Sequence, residues 1–169
     1  KYYGVPRMDR ELLERHHRGL IALSSCLGGV VNRHLVRREE AEAREAARWY
    51  GQVFEGRFYL ELQDHGLEKQ RQVNPKLMAL ARELGLPLVG TNDVHYLEEE
   101  EAYAHWLLQL MGWQQKVTDP GTEAFQDKKL FLKTPEEMAE ALAAYPPEVI
   151  DNTARIAEQC ELSLANDRV

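Results

Sequence analysis

Apolar residues along this chain follow two rhythms: short runs of strand length at 19–29, 57–63 and 86–90, and longer stretches between them with helical spacing. Asp9 caps a short predicted helix through Glu11, Leu12, Leu13 and Glu14, which Gly19 stops. His16 and His17 fall in its last turn, where a helix C-terminus favours them. Gly19 to Gly29 is a continuous apolar run ending in small residues, the pattern of a strand buried on both faces and followed by a tight turn. Cys26 then stands at the carboxyl end of that strand. A helical stretch follows, with Arg37, Glu40, Arg44, Glu45 and Arg48 on a solvated face and Ala43, Ala47 and Tyr50 on the apolar one. Arg57 to Gln63 alternates as the next strand, and Asp64-His65-Gly66 turns the chain. Val73, Leu77, Leu80, Ala81 and Leu84 make a helical stripe closed by Gly85, and Leu86 to Gly90 is the third strand. Strands separated by helices at this spacing are βα units, which implies parallel strands joined by right-handed crossovers. An open sheet and part of a barrel both satisfy the pattern.

Beyond the third strand, Glu98 to Gly112 reads as a helix with an acidic first turn and apolar positions at Ala102, Trp106, Leu107, Leu110 and Met111. His105 reads there as packed or exposed rather than ligating. Residues 113–127 are loop-like, and Lys128 to Lys133 reads as a short strand. Thr134-Pro135-Glu136-Glu137 carries a cap, a proline at the first helical position and a glutamate three residues after the cap. Pro146-Pro147 breaks that helix. Glu148 to Cys160 forms another, whose apolar face includes Val149, Ile156 and Ala157, with Cys160 expected as a buried structural thiol.

Composition narrows the class. With 169 residues, 44% hydrophobic and 29% charged, the chain can bury a core and is not a disordered sequence. No apolar run approaches the roughly 20 residues needed to cross a bilayer, and Lys1-Tyr2-Tyr3-Gly4 has no signal-peptide core, so a cytoplasmic protein without membrane contact is expected. The absence of an initiator Met favours a segment of a longer polypeptide. Two cysteines without a CxxC pair point to reduced thiols. A net charge of -7 argues against a main electrostatic platform for nucleic acid, so any strand is held by neighbouring regions. Arg outnumbers Lys fourteen to seven, which leans toward a thermophile or a GC-rich genome.

In either sheet arrangement the carboxyl ends of parallel strands share one edge, where active sites gather. Cys26, His65, Asp93 and His95 all fall there, and all four are metal-binding types. Asp93 and His95 share a face if the chain stays extended. The competing reading has Asp93 capping the acidic helix that follows and His95 filling a loop. Gly28 and Gly29 read as turn glycines, because no Lys follows to make a phosphate loop.

Four stretches in order carry a resemblance: Gly19 to Gly29, Phe58-Tyr59-Leu60-Glu61-Leu62-Gln63, Thr91-Asn92-Asp93-Val94-His95-Tyr96 and Lys133-Thr134-Pro135-Glu136-Glu137-Met138. Together they resemble the later part of the polymerase and histidinol phosphatase (PHP) domain of bacterial replicative DNA polymerase III alpha subunits, with a Thermus-like thermophile as the suggested source. The resemblance implies an α/β fold, with βα units forming part of a distorted, TIM-like βα barrel followed by a helical tail. On that basis residues 1–127 are the later part of the barrel, 128–162 a short strand and two helices closing the domain, and 163–169 the start of the connection toward the palm.

It further implies a metal-dependent phosphoester hydrolase acting as a 3'-5' exonuclease in a DNA-directed DNA polymerase. Cys26, Asp93 and His95 match the family's metal positions, zinc being favoured over manganese or magnesium. His65 matches no ligand position, so a turn or supporting role is expected for it. The family's opening His-x-His and its middle His and Glu have no counterpart here, so the segment alone is expected to be inactive. The polymerase magnesium site lies outside these residues. Implied partners are DNA through neighbouring domains, the clamp, the clamp loader and a proofreading subunit. Two alternatives stand beside this: a structural and interaction module with a vestigial metal site, and a free-standing PHP phosphatase.

Overall fold

A computed structural model describes residues 7–119 and 129–162. Three parallel strands lie in the order β1 (Ala22–Leu23), β2 (Phe58–Leu62), β3 (Leu88–Gly90), with Ala22 opposite Phe58 and Leu60 opposite Leu88. The predicted βα succession and parallel pairing are present. The first strand is not the buried one expected: only two residues pair, β1 is a sheet edge, and Leu20 and Leu23 are exposed. An apolar run cannot itself specify which strand gains neighbours on both sides.

Helix α1 (Arg10–His16) is capped by Asp9, whose carboxylate accepts the Leu12 amide at 2.9 Å. The single charged helix expected next is two, α2 (Val30–Val36) and α3 (Glu40–Phe54). They are separated at Arg38, which takes the left-handed conformation (φ 63°) while the Arg38 and Glu39 amides donate back to the Leu35 and His34 carbonyls. A non-glycine residue in that position gives no composition signal. Helix α4 (Glu68–Leu84) ends, as predicted, at Gly85 with φ 65°.

Strand β2 organises the interior. Phe58, Leu60 and Leu62 join Val31 and Leu35 of α2, Ala43, Ala46 and Ala47 of α3, and Leu77, Leu80 and Ala81 of α4 in one core. Each fully buried leucine there contributes roughly 1.5–3 kcal/mol. The alternate residues Tyr59, Glu61 and Gln63 belong to the opposite face of the strand, and they too are buried.

After β3 a 3-10 turn, Glu99–Glu101, leads into α5 (Ala102–Trp113). Ala102, Trp106 and Leu110 are buried as expected, whereas Met111 is exposed. The predicted strand at 128–133 reduces to a parallel bridge between Tyr96 and Phe131, Lys128 lying outside the described residues. Helix α6 (Pro135–Ala141) has the predicted capping box, with Thr134 and Glu137 exchanging side-chain and backbone bonds. Helix α7 (Glu148–Gln159) packs against β3, burying Val149 and Asn152, while Ala157 faces solvent. Cys160 is exposed, not the buried thiol expected. The helix ends at Gln159, and the thiol sits past the last turn that packs. Among the described residues no helix is long and apolar enough to cross a membrane.

Candidate metal centre at the strand edge

The three strands deliver their carboxyl ends to one edge, and each arrives with its own turn. After β1, Ser25 adopts φ 67° and the Cys26 carbonyl accepts the Gly29 amide at 2.9 Å, which closes the turn. Gly29 is required there: a Cβ would lie 2.0 Å from the Ser24 carbonyl oxygen. Asn32, on the first turn of α2, donates its amide to the Ser25 and Cys26 carbonyls at 3.0 and 3.3 Å. Cys26 is half-buried.

After β2, His65 is enclosed. Its Nε2 faces the Asn92 carbonyl at 3.1 Å, and a carbonyl only accepts, so Nε2 carries the proton. Nδ1 accepts from the Gln70 amide at 3.2 Å, and the His65 backbone amide donates to Gln70 Oε1 at 2.8 Å. With both ring nitrogens occupied, His65 ties the β2 turn to the β3 turn.

After β3, the chain does not stay extended. Asp93 takes φ 47°, so the shared face expected of Asp93 and His95 does not form by strand geometry. The competing cap reading fails as well: Glu98 caps the next helix in a box with Glu101. Two backbone amides hold the Glu101 carboxyl below its ordinary range. Asp93 is exposed, and His95 donates Nδ1–H to the Asp93 carbonyl at 2.6 Å, which leaves the lone pair on Nε2. The His95 ring lies 5.1 Å from that of His105, centroid to centroid. Burial, and then the charge of His95, holds His105 below the usual histidine value.

Residues that the sequence reading passed over join these turns. Glu61 is 8% exposed. Its Oε2 accepts the Ser25 amide at 2.9 Å, and its Oε1 accepts Gln63 Nε2 at 3.0 Å and the Thr91 hydroxyl. Gln63 also donates to Thr91 Oγ1 at 3.1 Å, and the Glu61 amide donates to Ser24 Oγ at 2.8 Å. Cys26, Asn32, Glu61, Gln63, Gln70 and Asn74 line one small pocket with Leu27. The one available signal was a Glu and a Gln alternating inside an aromatic and leucine-rich strand.

The PHP domain profile matches residues 1–65, which include β1, β2 and Cys26 and stop before Asp93 and His95. The DNA polymerase III alpha subunit of Deinococcus radiodurans is 41% identical over 165 residues, covering 96% of this chain and 12% of that protein. Those of Treponema pallidum and Thermus aquaticus are 42% and 41% identical, each over 96% of this chain and 14% of the relative. The chain is similar to a PHP-bearing segment of these alpha subunits. It spans only 12 to 14% of the length of these relatives.

PHP domains are generally metal-dependent, and the donors at this edge suit a divalent ion in kind: a thiol, a carboxylate and an imidazole with its Nε2 lone pair retained. Two buried features point the same way, a Glu61 carboxylate with no basic partner and an Asn32 Oδ1 without a hydrogen-bond partner, both among the described residues. The donors fit as part of a ligand set only. Among the described residues no three His, Cys, Asp or Glu side chains gather closely enough to hold a metal ion.

Proposed function

We propose that this PHP segment is part of a replicative DNA polymerase alpha subunit and contributes the later portion of a metal-dependent phosphoester hydrolase site, acting as a 3'-5' exonuclease on a mispaired primer end. Cys26, Asp93 and His95 are the metal ligands of this reading. The observation that carries it is the His95 ring: Nδ1 is committed to the Asp93 carbonyl, so Nε2 is the nitrogen left to coordinate, and it stands in the same turn as an exposed carboxylate. Cys26 would bind as thiolate, and a mixed sulfur, nitrogen and oxygen shell favours zinc over manganese or magnesium. When bound, divalent ions supply Lewis acidity for attack of water on the phosphoester and neutralise charge on its oxygens. The chain's own residues orient that chemistry: Glu61, Gln63 and Thr91 brace the turns, and His65 locks the β2 turn to the β3 turn.

Three donors are too few, so the remaining ligands come from sequence outside these residues. The relatives, several times longer than this chain, leave room for them. In this reading residues 1–127 belong to the barrel segment and 128–162 close it, while the passage to the palm expected at 163–169 lies outside the described residues. DNA, clamp, clamp loader and a proofreading subunit are partners of the whole polypeptide, which acts in the cytoplasm. A second reading, a bracing module with a vestigial site, is favoured by the lack of a three-ligand cluster among the described residues.

Metal analysis of the intact protein separates the two. Stoichiometric zinc or manganese, with Asp93→Asn lowering primer-end hydrolysis at least tenfold, is the expected result. Absence of bound metal together with no exonuclease activity would sink the nuclease reading, and unchanged hydrolysis in Asp93→Asn would remove Asp93 from the ligand set.

A further inference from the structure

Helices α2 and α4 pack against each other, and a groove of about 520 Å³ runs between them. Its charged lining is Arg38, Lys69 and Lys76, with no carboxylate among the lining residues, although the chain as a whole carries a net charge of -7. The carboxylates that flank these cations in sequence or in space are engaged. Glu39 meets His34 at 2.7 Å, Glu68 accepts from Gln72 at 2.9 Å, and Glu40 meets Lys76 at 2.8 Å. Among the described residues Arg38 and Lys69 take part in no ion pair. Arg38 also stands where glycine is favoured, at φ 63° just past α2, so a bulky side chain is carried there against a steric cost.

Beneath the cations the lining is aliphatic: Leu35 and Val73 come from the core, and Val36 is exposed beside them. No aromatic ring lines the groove, so a nucleic-acid base would find nothing to stack on, and phosphates alone would leave the apolar floor unused. A cleft between two helices instead suits a third helix with apolar anchors on one face. Fixed positive charge at its rim selects carboxylates on that helix and rejects lysines.

We propose that the groove between α2 and α4 docks an acidic, leucine- or isoleucine-rich helix of another polypeptide. Its aliphatic side chains meet Leu35, Val36 and Val73, and its carboxylates meet Arg38, Lys69 and Lys76. This surface is independent of the strand-edge reading, since none of Cys26, Asp93 and His95 lines it.

The test is fluorescence anisotropy on the intact polypeptide that carries this segment. The probes are helix-forming peptides with leucine and isoleucine at helical spacing and Glu, Gln or Lys flanking them. Arg38→Gly and Lys69→Glu are the groove variants, both compatible with the fold: glycine suits the left-handed position, and an acid suits the first turn of α4. Glu peptides are expected to bind at least tenfold more tightly than their Gln and Lys counterparts, and the double variant to lose about tenfold. Lys peptides are expected to bind Lys69→Glu more tightly than wild type, a gain that misfolding cannot produce. Equal binding of Glu and Gln peptides, no binding by any peptide, or wild-type affinity in the double variant overturns the proposal. A single-stranded dT oligonucleotide that binds more tightly than the Glu peptides, and is weakened by the same variants, overturns it in favour of a nucleic-acid surface.

Discussion

At the scale of single residues, His105 is the histidine whose surroundings move its titration. The rings of His95 and His105 face one another at 5.1 Å, and His105 is held below its ordinary value by burial first and by the His95 charge second. A histidine whose folded value is depressed binds fewer protons folded than unfolded just below the ordinary value of about 6.5. Stability therefore falls as pH drops through that value toward the folded one, and is unaffected above it. Ring-proton titration by NMR is expected to find His105 below the usual histidine range, and His95→Ala to move it upward; no movement would mean that the two rings do not interact. Residue identity in the sequence pointed to Cys26, Asp93 and His95, but not to Glu61, because a polar position in an alternating strand reads as solvent-facing. The face opposite the helices is buried here, which only the tertiary arrangement reveals.

Among the elements, the turn after β1 depends most on one residue. A Cβ at Gly29 meets the Ser24 carbonyl oxygen at 2.0 Å, whereas one at Gly28 meets only Cys26 Sγ at 3.8 Å, an ordinary contact. Gly29→Ala is expected to cost about 1–3 kcal/mol through backbone displacement and to speed alkylation of Cys26, while Gly28→Ala stays near the wild type. Urea denaturation and thiol-reaction rates measure both, and equal behaviour of the two variants would contradict this account. Elements set by local chemistry were legible: the Asp9 cap, the Thr134–Glu137 box, Gly85 after α4 and the βα alternation. Those set by neighbours were not. The short β1 and the bridge at Phe131 depend on pairing partners distant in sequence, and the break at Arg38 uses a residue where glycine would have announced it.

For the molecule as a whole, the helices after residue 134 contribute a wall of the same core. Leu142 and Val149 belong to the cluster built on β2, a Cβ at Gly90 would lie 2.3 Å from Leu142 Cδ1, and Asn152 donates to the Leu88 carbonyl at 2.7 Å. Tyr145 adds a bond to Asp64 at 2.8 Å, joining the α6–α7 connection to the β2 turn. Asn152→Ala would strand a buried carbonyl of β3, so a loss of about 1–3 kcal/mol and a lower melting temperature are expected in calorimetry, against little change for exposed Asp151→Ala. The exposed Cys160 has a practical consequence for every such experiment. Maleimide, oxidised glutathione or a mercurial will consume that thiol ahead of the half-buried Cys26, so a bulk thiol count reports the end of α7 and not the strand edge. Within these 169 residues, a Cys160→Ser background leaves Cys26 as the one thiol, a reporter for the turn after β1.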